Sequence, residues 1–279
     1  MTSVSLTPAQ RWRAPQEMLW WTVPVYGVAA ILFHAGTNVL NDYYDYLHGV
    51  DGPDDRDPTH VISRGIVTPR FMAISGHGYF AAAVLLGSMI AIVRGPAFWL
   101  TGMVGAAGAY FYTNRRFSLK YRALGDITVF LLMGPVMVWI GTWAIVGWRG
   151  WFPFVAALPP AFMVALILHG NNMRDIAADA AAGVDTLARR LGFGGSKVFF
   201  ALLLGLAYGI VPVIVRVGPA PAWIWLSAVS LPIAVRLLRR VMRAPDGGAL
   251  MDLPVRSAQL HLITGALYTV GFALGGVAG

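Results

Sequence analysis

Apolar stretches long enough to cross a bilayer recur along the chain, near residues 18–43, 70–93, 96–113, 124–148, 151–172, 197–216, 220–241 and 257–278. A helix needs about 20 residues, at roughly 1.5 Å of rise each, to span the hydrocarbon. The pattern therefore predicts an all-α bundle of about eight transmembrane helices, with residues 1–279 forming one integral membrane domain. A composition of 57% hydrophobic and only 12% charged residues, with mean hydropathy +0.63, lies outside the range of soluble globular chains. Gly134, Pro135 and Gly141 fall inside a predicted span, where they permit kinks or close helix packing. The chain has no cysteine, which excludes disulfides, thiolate metal sites and cysteine nucleophiles. Arg11 and Arg13 lead into no short apolar stretch with a small-residue cleavage site, so a removable signal peptide is not expected.

An isoelectric point near 10.1 raises the question of nucleic acid. The basic residues lie in short connections between apolar segments, which is the pattern of membrane topology and points away from nucleic-acid binding. Sixteen of the 21 Lys and Arg fall in the connections after the first, third, fifth and seventh spans, against Arg11, Arg13, Arg94, Arg149 and Arg216 on the other side. The positive-inside rule places those four connections in the cytoplasm. Twelve of the 13 acids, all but Glu17, lie on the same face. That rule takes little account of Asp and Glu, so the acids need a different explanation.

The first acidic group is "NDYYDYLHGVD". His34, Asn38, Asp42 and Asp45 are spaced i, i+4, i+8, i+11, one helical stripe running to the cytoplasmic end of a span, with Asn41 and Asp51 in the same stretch. His34 and Asn38 in such a stripe either hydrogen-bond between helices or line a wet interior. Asp42 and Asp45 sit near a helix C-terminus, where like carboxylates repel each other and oppose the helix dipole, so a positive partner is expected. The second group, "HGNNMRDIAADAAAGVDTLARRLG", repeats the design with Asn171, Asp175 and Asp179 at i, i+4, i+8. If the two helix ends pack together, four Asp converge. Hard oxygen donors suit Mg²⁺, which completes its shell with water and substrate phosphates, whereas six singly scattered histidines argue against zinc. Arg64, Lys120, Arg122 and Arg174 are either phosphate contacts or topological charges. Arg115 and Arg116 are read as topological.

On "NVLNDYYDYLHGVD", "YTNRRFSLKYRALGDITVFLLMGP" and "NNMRDIAADAAAGVDTLARRLG", in that order, the chain resembles the UbiA superfamily of intramembrane prenyltransferases. Within it, the resemblance is to the 1,4-dihydroxy-2-naphthoate polyprenyltransferases of menaquinone synthesis. The resemblance implies a helical bundle around a central cavity under cytoplasmic cap loops, in the bacterial inner (plasma) membrane. It implies that Asp42, Asp45, Asp175 and Asp179 are catalytic and hold Mg²⁺. It also implies that Asn38, Asn41, Asp51, Arg64, Lys120, Tyr121, Arg122, Asn171 and Arg174 bind the diphosphate of a polyprenyl donor. Relatives usually have nine helices. Here "PVYGVAA" runs directly into the first motif, so the first family helix is either merged or abbreviated. Relatives also commonly carry a basic residue where Val184 and Asp185 stand. Asp185 is then either an extra acid beside the metal or a sign that the motif has drifted.

The expected reaction is Mg²⁺-assisted ionisation of an allylic diphosphate, followed by attack of an aromatic acceptor on the allylic cation. A water-poor cavity is needed, and Tyr43, Tyr44, Phe111, Tyr112, Trp139 and Trp143 either stabilise the cation through their π faces or simply pack. Rival readings share the site: a membrane terpene cyclase, prenylation of another aromatic acceptor such as 4-hydroxybenzoate or homogentisate, and a polyprenyl-phosphate carrier that binds without turnover.

Overall fold

A computed structural model describes residues 18–49, 61–114, 118–147 and 150–277 of the protein. Among these residues all regular structure is helical except one isolated parallel bridge between Arg122 and Asp185. The chain runs through α1 (Thr22–His48), α2 (Pro69–Arg94) and α3 (Pro96–Thr113). The next rod, Gly125–Val146, is α4 (Gly125–Leu131), a π turn at Leu132–Val136 and α5 (Met137–Val146). Then come α6 (Phe152–Ala156), α7 (Leu158–Arg174), α8 (Ile176–Ala181), α9 (Leu187–Gly209) and α10 (Val211–Val217). A 3-10 stretch at Ala222–Ser230 continues into α11 (Leu231–Arg243), and α12 (Leu253–Val277) follows.

Each of the eight stretches expected to span falls on one of these rods. Five rods, Thr22–His48, Pro69–Arg94, Gly125–Val146, Leu187–Val217 and Ala222–Arg243, are long and apolar enough to cross a membrane. The other three expected spans fall on α3, on α6 with α7, and on α12. In α7 and α12 apolarity is diluted by residues that face inward, including the fully buried His169 and Ser257. Lipid-facing apolarity is plain on the outside: Ile92 is 85% exposed and Val104 74%, while Leu166, Phe200 and Ile90 inside are fully buried. A surface this apolar is stable only in contact with lipid. The protein is an integral membrane protein. Residues 41–48 of the first motif lie on one uninterrupted 27-residue helix, α1.

Close packing comes from the residues marked in the sequence. A Cβ on Gly134 would lie 2.3 Å from Cβ of Ala161, so α7 crosses the π turn almost backbone to backbone. Pro135 cannot donate to the helical ladder, and the helix widens there. Just beyond, the Met137 carbonyl accepts from the Tyr26 hydroxyl at 2.5 Å, which fastens α1 to this rod. Gly141 leaves room for the same Tyr26 ring.

The end of α1 and the described residues 118–124, 175–186 and 244–252 share one end of the bundle. Three contacts tie these connections to one another and to the helix ends beside them: Lys120 reaches α1, the Ala123 amide donates to the Asp185 carbonyl at 2.7 Å, and Gly247 abuts the Arg174 carbonyl. At the far end, Arg94 donates to the carbonyls of Ala144 and Ile145 (3.0 and 2.9 Å), and the Thr22 hydroxyl donates to Ala144 at 3.1 Å. These bonds satisfy carbonyls that α5 leaves open at its C-terminus. Gly134→Val should therefore lower the melting temperature in detergent by the equivalent of about 1–3 kcal/mol of overpacking. Gly209→Ala, whose new Cβ meets nothing within 4 Å, should leave it unchanged. Thermal unfolding of the two purified variants checks the contrast.

Candidate active site

Local rules in the sequence set the helix ends that carry the acids. Gly49, at φ +70°, stops α1 just past the first motif, its amide bonded to the Asp45 and Tyr46 carbonyls. Thr68 caps α2 by accepting from the Phe71 amide at 3.2 Å, with Pro69 as the first helical residue. Thr186 caps α9 by accepting from the Arg189 amide at 3.3 Å and also donates to Oδ2 of Asp179 at 3.3 Å, binding the second motif to the helix that follows it.

Asp45 is 7% exposed, and its carboxylate is saturated by donors. Lys120 Nζ donates to it at 2.5 Å, Asn41 Nδ2 at 3.0 Å, and the Tyr121 hydroxyl donates to its other oxygen. Lys120 also donates to Oδ1 of Asn41 at 3.0 Å. The cation expected beside the first motif is thus supplied, at Asp45, by the chain itself. Lys120 and Tyr121 sit in a one-turn 3-10 helix between Ser118 (φ +38°) and Ala123 (φ +57°). Among the described residues these are the only non-glycine residues with positive φ. Such backbone costs free energy, and it persists only where surrounding contacts hold it.

The second motif departs from the single helix that its spacing suggests. α7 stops at Arg174 and α8 starts at Ile176, with Asp175 at the junction (φ −95°, ψ 8°). The i+4 bonds nevertheless continue across the junction, Asp175 amide to Asn171 carbonyl at 3.1 Å and Asp179 amide to Asp175 carbonyl at 2.8 Å. Arg174 forms a fork onto both oxygens of Asp175, at 2.6 and 2.7 Å. Asp179 is half-buried, and its carboxyl is pushed up to about 6 by burial first and then by Asp175. Lys120 pulls it down and Asp45 pushes it up, so both motifs act on the same carboxyl.

Other expected residues are placed less centrally. Asn38 hydrogen-bonds His34 at 3.3 Å, and both are exposed; Asn41, one turn nearer the end of α1, is the amide that holds Asp45. Asp42 is partly buried on the turn before Asp45. Asn171 lies one turn before Asp175, Arg64 is exposed in the turn leading to α2, and Arg122 is exposed beside Asp185. Asp51 lies outside the described residues. Among those described, no three acids or histidines are close enough to hold a metal ion. Lys120 and Arg174 pair with two of the four carboxylates expected to converge, Asp45 and Asp175. Asp185 pairs with Arg190, at 2.6 Å, and this pairing lowers its pKa. Trp143 packs with Phe98 and Ile140 in the core near Arg94, with Trp139 against it, at the opposite end from the acids.

One constellation in this region has no spacing signal, although its two residues lie in the quoted stretches "RALGDITVF" and "HGNNMRD". His169 Nδ1 and Asp126 Oδ1 share a hydrogen bond of 3.0 Å, both side chains buried, joining α7 to the start of α4 just beneath the motif loops. A lone His and a lone Asp 43 residues apart in sequence give no periodicity to read.

Fold and site define an integral membrane helical bundle that gathers carboxylates and counter-cations at one end. Residues 6–253 match the UbiA prenyltransferase family, and the chain belongs to that family: it is a prenyltransferase. It is 30% identical over 255 residues to a 1,4-dihydroxy-2-naphthoate octaprenyltransferase of Mycobacterium tuberculosis, covering 91% of this chain and 85% of the relative. It is also 30% identical over 257 residues to the human UbiA prenyltransferase domain-containing protein 1, covering 88% of this chain and 71% of the relative. Among solved structures, a UbiA homolog from Archaeoglobus fulgidus bound to GPP and Mg²⁺ superposes with a TM-score of 0.63 at 14% identity, covering 94% of this chain and 92% of that one. A digeranylgeranylglyceryl phosphate synthase superposes at 0.61 with 16% identity, covering 97% and 91%.

A test on the metal-free protein follows from Asp179. Its carboxyl is raised from 3.8 to about 6, so the folded state holds its proton more tightly than the unfolded chain does. The sign is fixed: this stabilising contribution is full below the unfolded value and is lost as pH rises through about 6. The melting temperature should carry a component that declines over that window and vanishes in Asp179→Asn. Identical profiles for the two proteins would contradict the assignment.

Proposed function

We propose that the protein transfers a polyprenyl group from polyprenyl diphosphate to an aromatic acceptor, 1,4-dihydroxy-2-naphthoate, in a Mg²⁺-dependent reaction on the cytoplasmic face of the bacterial plasma membrane. The observation that carries the proposal is the shared electrostatic neighbourhood at one end of the bundle, where Lys120 pairs with Asp45 and Asp179 feels Asp175, Lys120 and Asp45. The relative from Mycobacterium tuberculosis supports the acceptor, and the Archaeoglobus fulgidus structures, with GPP or DMAPP and Mg²⁺, support the donor class and the metal.

The residues fit Mg²⁺. The donors are hard carboxylate oxygens, and Asp179 is held above its ordinary value first by burial and then by the neighbouring Asp175 carboxylate, a repulsion that an added cation relieves. Asp42, Asp45, Asp175 and Asp179 would hold the ion, and when bound it supplies electrostatic stabilisation to the departing diphosphate. The chain's own groups do the rest. Lys120 neutralises Asp45, and its flexible stem lets Nζ turn to a phosphate oxygen of the donor; Arg174, already presented as a fork, offers a second contact. Tyr121 and Asn41 keep Asp45 oriented during that exchange. The allylic C–O bond breaks with its electron pair leaving on the diphosphate, and the acceptor ring closes a C–C bond, losing its carboxyl group as CO₂.

Incubating the purified protein with Mg²⁺, polyprenyl diphosphate and a panel of aromatic acceptors tests the proposal. Prenylated, decarboxylated naphthoate is expected; a cyclic hydrocarbon or unchanged diphosphate would contradict it. Asp42→Asn and Asp175→Asn should each lower turnover by about 100-fold or more while eluting as the wild type does in detergent. Wild-type rates in either would place the chemistry elsewhere.

A further inference from the structure

A strongly basic surface lies apart from the acid site. Four arginines of α11, Arg236, Arg239, Arg240 and Arg243, follow one another at i, i+3, i+4 and i+7, and with Ala244 and Ala249 they line a hollow of about 510 Å³. A second hollow of about 520 Å³ adjoins it, walled by Leu231, Pro232 and Val235 and sharing Arg236 and Arg239. The two form one groove along the outer face of a single helix, apolar toward the membrane interior and basic toward the helix end. The opposite face of α11 packs inward through Ala234, Leu237 and Val241.

Topology alone explains positive charge at this end of the bundle, but it asks neither for one helical face nor for a concavity. It explains Arg236 least. The rod Ala222–Arg243 has 22 residues, so Arg236 lies about 10 Å along the axis from the Arg243 end at roughly 1.5 Å per residue. That is deep enough to carry a desolvation cost unless an anion accompanies it. Only Arg240 has an ion pair among the described residues, with Asp252, which Arg256 shares. Arg236, Arg239 and Arg243 make none with described residues, which leaves the groove with uncompensated positive charge.

We infer that this groove binds an anionic phospholipid of the surrounding membrane, its phosphate held among Arg236, Arg239 and Arg243 and its acyl chains lying along Leu231, Pro232 and Val235. Charge complementarity selects the headgroup, because guanidinium forks match phosphate oxygens bidentately. The order along the helix selects a lipid over a free anion, since the basic part continues without a break into an apolar trough that points to the bilayer centre. The site lies at the catalytic end of the bundle: Lys197 donates to the Ala244 carbonyl at 2.5 Å, and Gly247 in the next turn abuts the Arg174 carbonyl. It is nonetheless separate from the acid motifs.

Native mass spectrometry of the detergent-purified protein, loaded with equal phosphatidylglycerol and phosphatidylcholine, tests the inference. The wild type should retain phosphatidylglycerol in clear excess, and the Arg236→Gln/Arg239→Gln double variant should lose about tenfold or more of that preference. Arg216→Gln, a charge removed at the opposite end, should leave it unchanged. Should the double variant not elute as a single species, Arg239→Gln alone and Arg236→Lys alone replace it, with a partial loss expected for the first and retention for the second. Equal retention of the two lipids by the wild type would overturn the inference, as would an undiminished preference in the variants. Stoichiometric displacement of phosphatidylglycerol by geranyl diphosphate would also overturn it, by making the groove a donor site.

Discussion

The carboxylate of Asp45 organises the end of the bundle where chemistry is expected. A buried charge is tolerated only when paired and hydrogen-bonded, and this one takes its partners from two separate parts of the chain. Asn41 comes from its own helix, and Lys120 and Tyr121 come from the connection after α3. Satisfying one carboxylate thus fixes that connection against α1. The strained backbone at Ser118 and Ala123 is the local cost of aiming both donors at Asp45. From Ala123 the order passes on, through the bond to the Asp185 carbonyl, to the segment between Asp179 and Thr186. The two acid motifs, over a hundred residues apart in sequence, are held in one electrostatic neighbourhood by a lysine and a single backbone bridge.

The two ends of the bundle differ in chemistry for a physical reason. At the far end the open carbonyls of α5 are met by Arg94 and Thr22, which is structural capping in a region otherwise filled by Phe98, Trp143 and Ile140. At the acid end, carboxylates exceed what capping needs. Their counter-charges, Lys120 and Arg174, are flexible or forked groups of the kind that can be shared with an incoming phosphate. The buried Asp126 and His169 pair sits between the lipid-spanning interior and this layer and ties α4 to α7 where both reach it.

Much of the architecture follows from hydropathy alone, because a lipid solvent admits so few backbone solutions. The eight expected spans each fall on a helical rod, and Gly134, Pro135 and Gly141 mark the places where rods approach or deform. The acid motifs were visible as spacing, yet spacing did not show the helix break at Asp175, since the i+4 amide bonds run through it unchanged. Nor could spacing assign partners. Lys120 and Asp45 both read as ligand-facing groups, and only their proximity shows that they neutralise each other. Asp185, expected either beside the metal or as a sign of drift, is paired with Arg190, a partner that its spacing did not reveal, while Val184 next to it is buried. The Asp126 and His169 pair lies in two of the quoted stretches, but no spacing links residues brought together only by the packing of α4 against α7.

The central claim is that the two acid motifs hold a single diphosphate between them. A structure of the protein with Mn²⁺ in place of Mg²⁺ and a non-hydrolysable polyprenyl thiolodiphosphate tests it most directly, because the metal can be located by its anomalous scattering. The account predicts metal and diphosphate between Asp42 or Asp45 on one side and Asp175 or Asp179 on the other, with Lys120 turned from Asp45 toward a phosphate oxygen. Metal bound to one motif alone, with the diphosphate elsewhere and the Lys120 to Asp45 contact intact, would contradict it.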